Sequence, residues 1–176
     1  SVDQILQAGW YLLKLINEIL DLTMVESGRL SLSLEPMSLA EVLSDCEAMI
    51  DLQAQQEGIR LSFPTVDSAC FVHADRTRVK QVFINLLSNA IKYNRPSGSV
   101  TVTCGPGSAG RIRVSFQDTG NGLSPAQLEQ LFEPFNRLGQ ESGSKEGTGI
   151  GLVVCERLTR LMAGMIGVQS TVGVGS

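Results

Sequence analysis

The stretch from Arg78 to Tyr93 constrains this chain more than any other. Val79, Val82, Phe83, Leu86, Leu87 and Ala90 recur every three or four residues, which predicts a helix with one apolar face. At about 100° per residue, the opposite face carries Gln81, Asn85, Asn89 and Lys92. A solvated stripe is ordinarily built from Lys, Glu, Gln and Arg, because Asn costs up to about 0.7 kcal/mol relative to Ala inside a helix. Two Asn residues one turn apart, followed by a Lys, instead make a row of amide oxygens ending in an ammonium. Amide oxygens suit a hard cation such as Mg2+, and an ammonium suits a phosphate. A plain solvated face is the alternative that the helix alone leaves open.

The elements around this helix limit the fold class. Residues 2–27 read as a long helix whose Ile5, Leu6, Gly9, Leu12, Leu13, Ile16, Ile19 and Leu20 form a wide stripe with heptad character. One helix cannot bury such a stripe alone, so the expectation is a bundle completed by a partner chain or by a sequence neighbour outside this segment. Gly28 is placed to stop it. Leu30, Leu32 and Leu34 alternate as a strand that Pro36 ends, and Ser38 with Glu41 forms a capping box opening a helix to about Gln56. Ile59, Leu61 and Phe63 predict a strand, and residues 70–73 a second one before Asp75, a structural cap for the central helix. Val100, Val102 and Cys104 pair with Ile112, Val114 and Phe116 across a turn at 105–110. Ser124-Pro125 begins a short helix, 136–148 reads as an irregular loop, a helix follows to about Met162 with Gly164 as its stop, and Met165–Ser170 is a final strand. Interleaved strands and helices give an α/β or α+β class, with a mixed sheet covered by helices on one face.

Composition excludes several partners. At 176 residues with a net charge of −4 and no block of Lys or Arg, the chain has no electrostatic footprint for nucleic acid or an anionic membrane. No apolar run approaches the roughly 20 residues needed to span a bilayer, so no membrane contact is expected in this segment. Cys46, Cys70, Cys104 and Cys155 lie far apart with no CxxC pair, and read as buried free thiols in a reducing compartment.

Two further motifs carry chemistry. Asp118-Thr-Gly-Asn-Gly122 places an acceptor carboxylate at a strand end, with glycines that let a flat ring approach the backbone. Gly147-Thr-Gly-Ile-Gly151 opens a helix, where backbone N–H groups and the helix dipole favour phosphate. It is not a Walker loop, since no Gly-Lys-Ser/Thr follows, and not a Rossmann fingerprint, since a polar loop precedes it. Each string alone is also compatible with plain chain reversal.

In order, the Asn helix, Asp-x-Gly-x-Gly, Leu131-Phe-Glu-Pro-Phe-Asn-Arg-Leu138 and Gly-x-Gly-x-Gly resemble the ATP-binding domain of sensor histidine kinases of two-component systems. That domain belongs to the superfamily shared with gyrase B, the Hsp90 chaperones and MutL. Asn85 to Tyr93 looks like the N box, Asp118 to Gly122 the G1 box, Phe132 to Phe135 the F box, and Gly147 to Gly151 the G2 box. The resemblance implies an α/β two-layer sandwich, the Bergerat fold: a mixed, mostly antiparallel sheet with helices on one face, preceded by the long helix. Residues 1–27 resemble the second helix of a dimerisation and phosphotransfer domain, and 28–176 the catalytic domain with an ATP lid at 136–148. Gyrase and MutL have no such lead-in.

By this resemblance the cofactors are ATP and Mg2+. Asn89 would hold the cation with Asn85 close by, and Lys92 and Tyr93 would contact the nucleotide. Asp118 would accept from the adenine amine, with Gly120 and Gly122 making room for the ring and Phe132 in the F box. Arg137 would reach a phosphate, and the loop Gly147, Thr148, Gly149, Ile150, Gly151 and Leu152 would lend backbone N–H groups. Asn85, Asn89 and Lys92 are the residues expected to bear on catalysis. The ATPase branches place a Glu where Asn85 stands, and an amide cannot take a proton from water, so slow intrinsic hydrolysis is expected. The implied partners are a second copy through the N-terminal helix and a response-regulator receiver domain, in a cytoplasmic setting with membrane attachment of the parent left open.

The sequence departs from the family in two places. No His followed by an acid precedes the N box, and the single histidine, His73, reads as structural. The expectation is a segment that begins after the acceptor helix and lacks the family's last strand. The alternative function is a non-catalytic, dimerising regulatory module derived from a histidine kinase.

Overall fold

The computed structural model describes residues 1–139 and 147–176. The first helix, α1 (Val2–Glu26), ends where expected: Gly28 takes a left-handed φ of 68°. The Arg29 N–H reaches back to the Met24 carbonyl and the Gly28 N–H to that of Val25, a Schellman ending. Strand β1 (Glu35–Ser38) leads directly into α2 (Leu39–Glu57), which Ser38 caps by accepting from the Glu41 N–H. The reciprocal half of the expected capping box is not among the observed bonds. The Glu41 carboxylate accepts instead from Arg76 Nη1 at 3.0 Å, so its charge serves a tertiary contact.

Strands β2 (Arg60–Ser62) and β3 (Phe71–Ala74) precede the central helix α3 (Arg76–Lys92). Then come the hairpin β4 (Ser99–Pro106) and β5 (Ile112–Asp118), the short α4 (Pro125–Glu129) and α5 (Gly151–Leu161). The strands form two sheets, one with β1 antiparallel to β3, the other with β4 antiparallel to β5 and parallel to β2. This is the mixed, mostly antiparallel arrangement expected. Val42, Cys46 and Ile50 of α2, Leu87 and Ile91 of α3, and Val100 and Val102 of β4 are all nearly inaccessible and share one core between helices and sheet. A second cluster joins Leu22 and Val25 of α1 to Ile150, Val153, Val154 and Leu158 at α5.

Several sequence expectations are corrected. The alternating Leu30, Leu32 and Leu34 do not form a strand. Leu30 packs on the α1–α5 cluster, the Ser33 N–H bonds to Asp75, and the strand begins five residues after Leu30, at Glu35. Pro36 lies inside β1, opposite His73, which an edge strand tolerates because its missing N–H opposes no ladder acceptor on the open side. The hairpin turn lies later than expected, since β4 continues to Pro106, opposite Ile112. Helix α5 is closed by Ala163, left-handed at φ 59°, with Gly164 one place beyond. Met165–Ser170 is not a strand. The polar groups of the tail bond to the β5 exit instead, with Asp118 N–H to Ser176 O at 2.8 Å and Gly173 N–H to Asn121 O at 2.7 Å. The four cysteines are free; Cys46 and Cys155 are buried, whereas Cys70 and Cys104 are only half-buried.

Candidate functional site

The polar face of α3 is set by its cap. Asp75 Oδ1 accepts from the Arg78 N–H at 3.0 Å and Oδ2 from the Ser33 N–H at 2.9 Å, fixing both the start of the helix and the segment leaving α1. Arg78 and Gln81, in the first turns, bind Asp21 of α1. Farther along, Asn85, Asn89, Lys92 and Tyr93 are all half-buried, which rules out a freely solvated stripe. Asn89 Nδ2 donates to Asn85 Oδ1 at 3.3 Å. Among the described residues, the Oδ1 atom of Asn89 accepts no hydrogen bond, so the pair presents one open amide oxygen.

The glycine loop lies over this face. A Cβ on Gly151 would stand 2.5 Å from Asn85 Nδ2, and one on Gly147 would stand 2.9 Å from the Tyr93 hydroxyl and 3.1 Å from Lys92 Nζ. Arg137 Nε lies 3.9 Å from that same Gly147 position. The Lys92 ammonium sits 5.0 Å from the Tyr93 ring centroid. Burial pushes the Tyr93 phenol above its usual range, with nearby Arg137 opposing the shift and Tyr11 adding to it. Gly149, at φ 72°, lies beneath the Phe135 backbone, and the Phe135 N–H bonds to the Gly149 carbonyl at 2.9 Å. The F-box segment is thereby tied to the glycine loop. The Ile150 side chain is fully buried in the α1–α5 cluster, so only its backbone is available to a ligand. Phe132 and Leu152 are half-buried beside these segments.

Asp118 ends β5. Its Oδ1 accepts from the Gly120 N–H at 2.7 Å and from the Ser176 N–H at 3.3 Å. Among the described residues its Oδ2 accepts none. Burial raises its pKa above the usual carboxylate value, and the two backbone N–H groups oppose that. A Cβ on Gly120 would lie 2.6 Å from the Tyr93 carbonyl, so the G1 turn is pressed against the end of α3. Gly122, at φ 70°, is closer still to the tail: a Cβ there would lie 2.2 Å from the Thr171 carbonyl oxygen.

The structure therefore brings together the N-box, G1, F-box and glycine-loop residues, with Arg137 reaching the loop. Residues 140–146 of the expected lid lie outside the described residues. Sequence reasoning missed Asn94, Thr119, Tyr11, Glu18 and Asp21. Asn94 is buried, donates to the Ser99 carbonyl at 2.9 Å and accepts from Thr119 Oγ1 at 2.9 Å, locking the end of α3 to the end of β5. Tyr11 donates to the Gly147 carbonyl at 3.3 Å, and Thr148 Oγ1 donates to Glu18 Oε2.

Residues 74–176 match the family described as histidine kinase-, DNA gyrase B-, and HSP90-like ATPase, and the chain belongs to that family. An uncharacterized sensor-like histidine kinase of Rhizobium meliloti (strain 1021) is 35% identical over 176 residues, covering 99% of this chain and 33% of that protein. The full-length ShkA structure in complex with AMPPNP is 28% identical with a TM-score of 0.82, covering 96% of this chain and 35% of that one. Histidine kinase ThkA in complex with response regulator protein TrrA is 25% identical with a TM-score of 0.69, covering 93% of this chain and 44% of that one. Within the family, this chain is the ATP-binding catalytic domain of a sensor histidine kinase. It spans a third or less of the length of the first curated relatives it matches. Among the described residues no helix is long and apolar enough to cross a membrane.

Proposed function

We propose that this domain positions Mg-ATP for transfer of the γ-phosphate to a histidine outside this chain, and that the phosphoryl group then passes to an aspartate of a response-regulator receiver domain. The observation that carries this reading is the stacking of the glycine loop on the Asn85–Asn89–Lys92 face, with Asn85 directly against Gly151. On this reading residues 28–176 form the catalytic domain. Residues 1–27 are the second helix of a dimerisation domain that pairs with a second copy through its exposed apolar stripe, in which Ile5, Leu6 and Leu12 stand largely in solvent. The parent protein works in the cytoplasm. The ThkA–TrrA complex supports the receiver domain as the downstream partner.

Each residue has a role that its chemistry supports. Asp118 accepts the adenine amine through its open Oδ2, while Gly120 and Gly122, expected from the sequence to make room for the ring, instead let the G1 turn pack against the Tyr93 and Thr171 carbonyls. Lys92, Tyr93 and Arg137 contact the polyphosphate, and the loop 147–152 offers backbone N–H groups at the start of α5. Among the described residues no group of three His, Cys, Asp or Glu could hold a metal ion. A cation here would be held by the open amide oxygen of Asn89, a hard donor of the kind that suits Mg2+. When bound, that cation neutralises charge on the phosphate oxygens. Transfer rests on positioning and charge neutralisation, because no side chain on the α3 face can deprotonate water at the Asn85 position.

The test is to supply this chain with γ-labelled ATP and a separate dimerisation domain carrying a phosphoacceptor histidine. Label should pass to that histidine, while the chain alone releases phosphate slowly. Rapid phosphate release by the chain alone would contradict the assignment. Nucleotide binding without any transfer would favour a non-catalytic regulatory module.

A further inference from the structure

Helix α1 lies outside the segment that matches the family, yet it touches the glycine loop at two points. Tyr11 and Glu18 stand two turns apart on one face, and their partners Gly147 and Thr148 are consecutive. That face is not loosely placed. Leu15, Leu22 and Val25 pack on the α5 cluster, and Asp21 binds both Arg78 at 3.1 Å and Gln81 at 2.8 Å. The Thr148 hydroxyl donates to Glu18 and accepts from the Ile150 N–H at 3.3 Å. It is therefore held between a half-buried carboxylate and one of the backbone N–H groups at the start of α5.

We propose that Glu18 is a positioning residue for the nucleotide site: it fixes Thr148 over the Ile150 N–H, and its carboxylate sets how strongly the loop accepts a polyphosphate. The inference rests on the reading of residues 147–151 as the phosphate loop. A phosphate there competes with Thr148 for the Ile150 N–H and brings several negative charges toward the Glu18 carboxylate. Docking of α1 through Glu18 and binding of polyphosphate are thus opposed, and the opposition scales with phosphate charge.

Calorimetric titration of the whole chain with adenosine, ADP and a non-hydrolysable ATP analogue, for wild type and Glu18→Gln, tests this. The amide keeps an acceptor oxygen for Thr148 and removes only the charge. The variant should bind the triphosphate at least about threefold more tightly, with a smaller gain for the diphosphate and none for adenosine. Equal or weaker triphosphate binding by the variant, or the same gain for adenosine, overturns the proposal. If wild type and variant both fail to bind any nucleotide, the nucleotide reading falls first, and this inference falls with it. Circular dichroism of the variant, expected to match wild type, separates loss of fold from loss of binding.

Discussion

Asn85 Nδ2 stands 2.5 Å from where a Cβ on Gly151 would be, so the first residue of α5 is small because the α3 amide fills the space beside it. The obstructing atom is the end of a side chain, which can rotate away. Gly151→Ala should therefore cost little stability, within about 1 kcal/mol, because helix propensity favours Ala. It should nonetheless turn Asn85 out of its pairing with Asn89 and weaken binding of an ATP analogue about tenfold. Denaturant melts and calorimetry on the same sample separate the two effects.

Asn94 and Thr119 form the joint between α3 and β5. Asn94 is 8% exposed, and its side chain serves Ser99, Thr119 and the Arg95 N–H. Asn94→Ala leaves the half-buried Ser99 and Thr119 groups without that partner and should cost about 1–2 kcal/mol in a urea melt. Thr119→Val removes one hydroxyl that both donates to Asn94 and accepts from the Ser99 N–H at 2.9 Å, and should cost about 1–2 kcal/mol.

Ala163 holds a left-handed φ of 59° at the end of α5, with the Gly164 N–H bonded to Thr159 O at 2.8 Å and the Ala163 N–H to Arg160 O at 3.0 Å. A Cβ in that conformation is strained, so Ala163→Gly should stabilise the fold by about 1 kcal/mol. The midpoint of thermal unfolding should rise by a few degrees.

Asp118 gives a pH signature. Burial raises its folded pKa above the unfolded value, so the folded state prefers the protonated acid. Its contribution to stability is full below the unfolded carboxylate range, near pH 4, and is lost as pH rises through the folded pKa. Asp118→Asn removes that loss while keeping an oxygen for the Gly120 and Ser176 N–H groups. The variant should be at least as stable as wild type at pH 7, with wild type regaining ground as pH falls toward 4. Melts across that range check the sign. A variant less stable at pH 7 would mean that the carboxylate gains more from its two N–H partners than burial takes away.

Much of the candidate site was legible in the sequence because its parts are local. The α3 face is read from residues three and four apart, Asp118 from its own glycines, and the loop at 147–151 from its spacing before a helix. The contacts that hold these parts together were not legible. Tyr11 and Glu18 meet the glycine loop across more than a hundred residues, and nothing in the periodicity of α1 separates those two polar positions from its other solvent-facing ones. Alternation also misled: Leu30 and Leu32 alternate as a strand would, but their backbone is irregular, and Leu30 packs beside the α1–α5 helix cluster. Met165–Ser170 likewise joins no ladder among the described residues, and Ser170 meets the loop after Asp118 through its side chain, which accepts from the Leu123 N–H.

The most direct test of the account is calorimetric titration of this chain with a non-hydrolysable ATP analogue, with and without Mg2+, alongside Asp118→Asn and Asn89→Asp. The account predicts Mg2+-assisted binding to wild type. That binding should be lost in Asp118→Asn, whose amide presents an N–H to the adenine amine, and lost or strongly altered in its Mg2+ dependence in Asn89→Asp. Binding by both variants with wild-type affinity and wild-type Mg2+ dependence would contradict the assignment of these two residues. No binding to wild type would contradict the central claim itself.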